Sequence, residues 1–165
     1  MIAPDCLKKI FLLQDLTSEE IQQVLKLAHP RHIPAGETVI REGEPGDSMF
    51  IMCQGEVEIT KRLILSLGEE VPKERVMSRL RAEDGVSFGE MALLENDTRS
   101  ATVTALTDCH FLELSRRDFL DFIERHPRTG CKLLLRMGQW LSRNLRRTDQ
   151  DVVKLTTALA IALGG

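Results

Sequence analysis

Phe88-Gly89-Glu90-Met91-Ala92-Leu93-Leu94 and Arg99-Ser100-Ala101-Thr102-Val103 bring charged, small and glycine residues into one short part of the chain. The guanidinium of Arg99 can donate two parallel hydrogen bonds to an anion such as a phosphate, and backbone N–H groups at the start of a short helical turn add a partial positive field. Gly89 lets the backbone approach closely, and the small Ala92 leaves room. The carboxylate of Glu90 would repel an anion, so we expect it to accept a hydrogen bond from a sugar hydroxyl instead.

The two stretches resemble the phosphate-binding cassette of the cyclic nucleotide-binding domain family, which includes catabolite-activator-type regulators and kinase regulatory subunits. The resemblance covers the chain from about Phe11 to Leu145. It includes Ile33-Pro34-Ala35-Gly36-Glu37, Glu42-Gly43-Glu44-Pro45-Gly46-Asp47, Gln54-Gly55-Glu56-Val57 and Leu114-Ser115-Arg116-Arg117-Asp118-Phe119. One departure is Thr98, where relatives often carry proline, so the strand that follows starts from a less rigid residue.

This resemblance implies a ligand and a set of residues that bind it. The ligand is cyclic AMP or cyclic GMP, with cyclic AMP favoured. Ser100 does not decide between them, because its hydroxyl can serve the phosphate of either nucleotide or contact a guanine amino group. The purine lies against Ile59 and Met77 and is covered by Arg143, Arg147 or Trp140 of the C-terminal helix. The remaining ligand-binding residues are Phe88, Gly89, Glu90, Met91, Ala92, Arg99, Ser100 and Ala101.

The hydrophobic pattern changes twice along the chain. Apolar residues recur at helical spacing over 6–28, where Thr17-Ser18-Glu19-Glu20 predicts a capped helix start. Short β-rich runs follow, and after Ser115 the spacing is helical again, interrupted mainly by Pro127 and Gly130. The runs are Thr38-Val39-Ile40, Met49-Phe50-Ile51-Met52, Val57-Glu58-Ile59-Thr60, Arg75-Val76-Met77 and Ala101-Thr102-Val103-Thr104, and Gly68-Glu69-Glu70-Val71-Pro72-Lys73-Glu74 predicts an exposed hairpin tip.

We therefore predict an α+β, mainly β fold: a double-stranded β-helix, or jelly-roll, barrel flanked by N-terminal helices and a long C-terminal helix. Residues 1–127 hold the N-terminal helices and the nucleotide-binding barrel. Residues 128–165 form the C-terminal helix, which serves as a lid and as the dimerisation and signalling element. A length of 165 residues suits one such domain.

Composition and charge favour a cytoplasmic protein that does not contact nucleic acid or membrane. The formal net charge is −3, and Arg143-Asn144-Leu145-Arg146-Arg147 is better interpreted as a solvated helical face than as a nucleic-acid surface. No apolar run reaches the roughly 20 residues that span a bilayer, and no signal-like segment opens the chain. The scattered Cys6, Cys53, Cys109 and Cys131 suit free thiols in a reducing compartment.

Catalysis and metal binding are not predicted. The four histidines, His29, His32, His110 and His126, lack the spacing of metal ligands. The chain has neither a GxxxxGK[ST] phosphate loop nor a GxSxG nucleophile motif, and Ser100 has no evident histidine base. No cofactor is expected beyond the cyclic nucleotide ligand.

A second feature is a stripe on the C-terminal helix at alternating spacings of four and three residues. It predicts a parallel two-chain coiled coil, and so a homodimer, although the final stretch could instead fold back on the barrel or dock on another protein. The stripe consists of Leu134, Gly138, Leu141, Leu145, Thr148, Val152, Leu155, Leu159 and Ala162.

These features are compatible with three functions. The favoured one is a sensor that binds a cyclic nucleotide and signals through its C-terminal helix to an unknown downstream protein. An alternative is a catabolite-activator-type transcription regulator lacking, or truncated before, its DNA-binding domain, which would need another ~60 residues. The third is a dimerisation scaffold that binds no ligand.

Overall fold

A computed structural model describes residues 7–63, 74–95 and 97–164. The predicted hairpin tip lies outside the described residues except for Glu74, and so does Cys6. Two four-stranded antiparallel sheets form the body, with helices at both ends of the chain. This architecture confirms the predicted mainly β barrel flanked by N-terminal helices and a long C-terminal helix.

The elements follow the chain in the order helix, barrel, helix. Eight strands and four α-helices are described, and two short 3₁₀ helices lie at Phe11–Leu13 and Ala82–Asp84. The strands are β1 His29–Ile33, β2 Thr38–Ile40, β3 Ser48–Gln54, β4 Glu56–Arg62, β5 Glu74–Arg81, β6 Ser87–Phe88, β7 Thr102–Ala105 and β8 Cys109–Ser115. The α-helices are α1 Ser18–Leu25, α2 Met91–Leu94, α3 Arg116–Arg125 and α4 Pro127–Ala162.

The strands are ordered β1-β8-β3-β6 in one sheet and β2-β7-β4-β5 in the other. Five consecutive residues of strand β3 are buried. Because successive side chains point to opposite sides of a sheet, both faces of this strand are covered. Phe50 and Met52 pack between the two sheets with residues such as Val103 and Phe111. Met49 and Ile51 pack on the other face, against the helices. The barrel therefore has an inner core and a second core beneath the helices.

Between residues 8 and 28, the structure describes one α-helix and one 3₁₀ turn. Helix α1 begins at the predicted place, since the Thr17 hydroxyl accepts the backbone N–H of Glu20 and the Glu20 carboxylate accepts that of Thr17. The apolar residues before it form the 3₁₀ turn Phe11–Leu13, which buries Leu12 and Leu13 in the helix-side core.

The helical stretch after Ser115 is broken at His126, immediately before Pro127, as predicted. Gly130 does not interrupt it, since helix α4 is continuous from Pro127 to Ala162. Pro127 occupies the first helical turn, where its missing N–H costs nothing. Gly130 is buried against α3, and a Cβ there would lie 2.7 Å from the Cβ of Ile123. Leu133 and Met137 are buried in the core, whereas every described residue from 142 to 164 is exposed. The helix is thus exposed from its fifth turn onward and does not fold back on the barrel.

No helix in the described part of the chain combines the length and the apolar composition needed to cross a bilayer.

Candidate nucleotide-binding site

Gly89 joins β6 to α2 and opens the loop singled out in the sequence. Its φ of +81° lies in the left-handed region, which strongly favours glycine. A Cβ there would lie 3.1 Å from both Nη1 of Arg99 and the carbonyl oxygen of Ser48. Glycine is therefore required for the turn and for the passage of the arginine side chain.

The guanidinium of Arg99 is fixed beneath this loop by Ser48 at the start of β3. Nη1 donates to the Ser48 carbonyl oxygen at 2.6 Å and Nη2 donates to its hydroxyl at 3.3 Å. These bonds use two of the five N–H groups of a guanidinium, so others remain for an anion. Burial lowers the pKa of Arg99, while the charges of Asp47 and Glu113 raise it. The group stays a cation because an arginine pKa lies far above neutral pH.

The loop over 43–46 holds the backbone on either side of Arg99. The backbone N–H of Arg99 donates to the Glu44 carbonyl at 2.8 Å, and that of Gly43 donates to the Arg99 carbonyl at 2.9 Å. Pro45 and Thr98 form an isolated antiparallel bridge. The strand entry is thus fixed by these backbone contacts although Thr98 replaces the proline of relatives.

Glu90 follows Gly89 directly in the loop and is partly buried. Its Oε1 accepts the indole N–H of Trp140, on α4, at 3.1 Å. Burial raises the pKa of Glu90, and the hydrogen bonds from its own backbone and from Trp140 oppose that rise. A carboxylate has two oxygens and several acceptor positions, so it can accept further hydrogen bonds.

A cavity of about 360 Å³ lies at the mouth of the barrel between the loop and α4. Its volume lies within the range of sites for small molecules. Nine of the predicted residues line it: Ile59, Phe88, Gly89, Glu90, Arg99, Ser100, Ala101, Trp140 and Arg147. Met91 and Ala92 line an adjoining cavity of about 260 Å³, which shares Gly89, Glu90, Arg99 and Ser100 with the first.

Two predicted residues do not line these cavities. Met77 is the extra residue of a bulge in β5, between the pairs Ile59–Ser78 and Thr60–Val76, and it is 55% exposed. Arg143 instead lies over the ring of Phe11, 4.6 Å from the ring centroid.

The structure adds residues that the sequence did not indicate. Ser78 and Leu80 line the cavity from β5, and Asn144 lines it from α4. Asn144 lies four residues after Trp140 and three before Arg147, so the three share one helix face. Their helical spacing predicts that these three residues lie on one face of α4. It does not predict that this face meets the cavity, which depends on how α4 packs on the barrel.

No cluster of three or more histidine, cysteine, aspartate or glutamate side chains that could hold a metal is found in 7–63, 74–95 and 97–164. Of the cysteines there, Cys53, Cys109 and Cys131 are free thiols. His32 and His110 stack across β1 and β8, with ring centroids 4.7 Å apart. The predicted site itself consists of an arginine, a partly buried carboxylate and apolar side chains.

Comparison with known proteins agrees with this geometry. The family model described as "Cyclic nucleotide-binding domain" matches residues 30–126. Glutaminase 2 of Bradyrhizobium diazoefficiens is 37% identical over 141 residues, which are 86% of this chain and 20% of that protein. This chain therefore spans about one fifth of the length of that relative.

Two solved structures share the fold. The catabolite activator protein of Thermus thermophilus has a TM-score of 0.76 and 29% identity, with 88% of this chain and 63% of that chain covered. The regulatory domain of Toxoplasma gondii PKA, crystallised with cAMP, has a TM-score of 0.60 and 33% identity, with 72% and 42% covered. Because the matched family region spans more than half of the chain and contains the loop, Arg99 and the barrel, this chain belongs to the cyclic nucleotide-binding domain family.

Proposed function

We propose that this chain binds a cyclic mononucleotide at the barrel mouth, with the phosphate on Arg99 and the ribose on Glu90. The observation that carries the proposal is that the fixed guanidinium of Arg99, the partly buried carboxylate of Glu90 and Gly89, with its positive φ, line one cavity. The cation suits the phosphate, and the carboxylate suits a neutral sugar hydroxyl. Apolar side chains such as Ile59 and Leu80 supply a wall for the purine.

Cyclic AMP is the proposed ligand, and cyclic GMP is the competitor to test. The related regulatory domain crystallised with cAMP supports this preference. Ser78 and Asn144 lie in the same cavity and can hydrogen-bond to a base edge. At least tenfold tighter binding of cyclic GMP in a competition experiment would contradict the preference.

The role we infer is regulatory and non-catalytic. Residues 1–127 bind the nucleotide, and residues 128–165 cover the site, dimerise and pass the signal to a downstream protein. Helix α4 suits this role because it lines the cavity with Trp140, Asn144 and Arg147 and then extends as an exposed helix. A ligand that favours one orientation of α4 would shift the population of that orientation by its difference in affinity.

Calorimetric titration of the wild type and of Arg99→Ala with cyclic AMP tests the binding site. Hydrogen bonds between charged partners contribute about 1.5–3 kcal/mol each, so we expect Arg99→Ala to lose at least about tenfold in affinity. Arg79→Ala is the matched control, because Arg79 is an exposed arginine paired with Glu58 outside the cavity. Wild-type affinity in Arg99→Ala, or no heat of binding with any cyclic nucleotide in the wild type, would contradict the proposal.

A further inference from the structure

Trp140 is the chain's one tryptophan, and it connects α4 to the predicted ribose-binding carboxylate. Its indole N–H donates to Glu90 Oε1 at 3.1 Å. The hydrogen bonds that Lys154, Thr156 and Thr157 donate further along α4 stay within the helix. Within the described residues, this is therefore the last hydrogen bond between α4 and the body of the domain.

The ring of Trp140 is held from its other side by the N-terminal segment. Its centroid lies 6.0 Å from that of Phe11, with the ring planes tilted by 41°. Arg136 and Arg143 lie over the Phe11 ring at 4.8 and 4.6 Å from its centroid. Asp15 binds Arg136 through Nε at 2.6 Å, so the aromatic cluster is also tied to the segment before α1. The position of the indole is thus fixed by α4 and by this cluster.

Trp140 and Glu90 also stand between two cavities. The nucleotide cavity at the barrel mouth lies on one side, and a second cavity of about 270 Å³ lies on the other. Val86, Ser87, Glu90 and Trp140 line both. Without the indole N–H, the Glu90 side chain would have open space on two sides and several rotamers available to it.

We propose that Trp140 is a positioning residue whose indole N–H fixes the Glu90 carboxylate so that its free oxygen accepts the 2′-hydroxyl of the bound nucleotide. This inference rests on the proposed function. It gives Trp140 a role different from a base cap, since the N–H edge of the ring is engaged by Glu90 and one side by Phe11. Because Trp140 belongs to α4, the affinity for the ribose hydroxyl then depends on where α4 lies.

Trp140→Phe tests the role, because phenylalanine keeps an aromatic ring against Phe11 and lacks the N–H donor. It also lacks the second ring of the indole, so a ligand that does not use Glu90 is needed as the control for packing. Affinity should be measured by calorimetry for cyclic AMP and for its 2′-deoxy analogue. We expect Trp140→Phe to bind cyclic AMP about three- to tenfold more weakly. The Glu90 side chain is then mobile in the free protein, and fixing it on binding costs conformational entropy. The 2′-deoxy analogue does not use Glu90, so its affinity should change by less than about twofold.

Other outcomes would overturn the inference. Unchanged or tighter binding of cyclic AMP by Trp140→Phe would show that the N–H does not position Glu90. Equal losses for both ligands would assign Trp140 to stacking or to general packing. A wild type that binds neither nucleotide would instead contradict the proposed function, and the proposal for Trp140 with it.

Fluorescence tests the contact without any nucleotide. As the only tryptophan, Trp140 reports its own surroundings, so Glu90→Ala should shift the emission of the free protein. Glu95→Ala, which removes an exposed carboxylate of the same loop, should leave the emission unchanged. Thermal melting of each variant shows that it is folded. Identical emission from the wild type and Glu90→Ala would overturn the inferred contact.

Discussion

At the scale of single residues, Gly46 decides where the side chain of Arg99 can lie. A Cβ at position 46 would collide with the guanidinium at Nε and Cζ. Its φ is not in the left-handed region, so alanine is compatible with the backbone. Gly46→Ala should therefore fold normally, displace Arg99 and weaken cyclic AMP binding by about tenfold, which is ~1.4 kcal/mol.

A double-mutant cycle checks this mechanism. If Gly46→Ala acts only through Arg99, it should cost no further affinity when Arg99 is already alanine. Calorimetry of the four proteins gives the coupling directly. Additive losses would mean that Gly46 affects the ligand by another route.

Glu90 should make the stability of the free protein depend on pH in an unusual direction. Burial raises its pKa, so the protonated form favours folding and this contribution is lost as the pH rises through that raised pKa. Glu90→Gln keeps an oxygen for the indole N–H and carries no charge, so we expect it to be at least as stable as the wild type near neutral pH. The difference should shrink on acidification.

Urea unfolding at several pH values measures that difference. Glu95→Gln is the matched control, because it neutralises an exposed carboxylate of the same loop. A Glu90→Gln variant less stable than the wild type at neutral pH, with the gap closing as the pH falls, would contradict the expectation, because that is the behaviour of a carboxyl whose pKa is lowered by folding.

The chemistry of the loop was readable from the sequence at this scale, but the wall of the cavity was readable only in part. Arg99, Glu90 and Gly89 are local to one loop, and Ile59 lies on a regular strand. Met77 was predicted to line the cavity, but its neighbour Ser78 does so instead, because a bulge between Ile59 and Thr60 shifts the pairing of β4 with β5. A bulge leaves little trace in the residue pattern of a short strand.

At the scale of elements, Glu20 connects α1 to α4. Its carboxylate accepts the Thr17 backbone N–H at 2.7 Å, the Lys132 ammonium at 2.7 Å and the Thr129 hydroxyl at 3.0 Å. It thus caps one helix and fixes the start of another. We expect Glu20→Ala to lower the free energy of unfolding by about 1–2 kcal/mol, since a cap and a hydrogen-bonded ion pair are lost together.

The pH dependence of that loss follows from the pKa of Glu20, which is lowered mainly by the hydrogen bond from Lys132. Stability from the ionised carboxylate is present above the ordinary pKa of a glutamate and is lost as the pH falls through the lowered value. The penalty for Glu20→Ala should therefore shrink in acid. Glu19→Ala, one residue earlier in the same first turn, should cost less than about 0.5 kcal/mol. Equal penalties for the two variants in urea unfolding would contradict this.

The sequence predicted the start of α1 but not strands β1 and β8. The capped start of α1 was predicted because the capping box is a local pattern. Strand β8 was not predicted, since the adjacent buried Phe111 and Leu112 interrupt the alternation along it. Strand β1 was missed for the opposite reason, being mostly exposed and containing Pro30. Both are recognisable only from their pairing with each other across the sheet.

At the scale of the whole molecule, the exposed half of α4 carries a continuous apolar stripe. Leu145 and Leu155 are each 63% exposed, and Val152 and Leu159 are more than half exposed. They recur with the four-and-three spacing predicted from the sequence, on a helix that leaves the barrel. Large contiguous apolar surfaces of this kind mark interaction sites, and this spacing is that of a coiled-coil seam.

We therefore predict that the intact chain is a dimer at micromolar concentration and that a chain ending at Asn144 is a monomer. Sedimentation of both forms measures this directly. Leu155→Lys places a charge in the seam and should weaken the dimer at least about tenfold, because a buried charge without a partner is costly. Gln150→Lys adds the same charge outside the stripe and should leave the dimer intact. A monomeric intact chain, with or without cyclic nucleotide, would rule out the seam as a self-association surface and leave it to a partner protein.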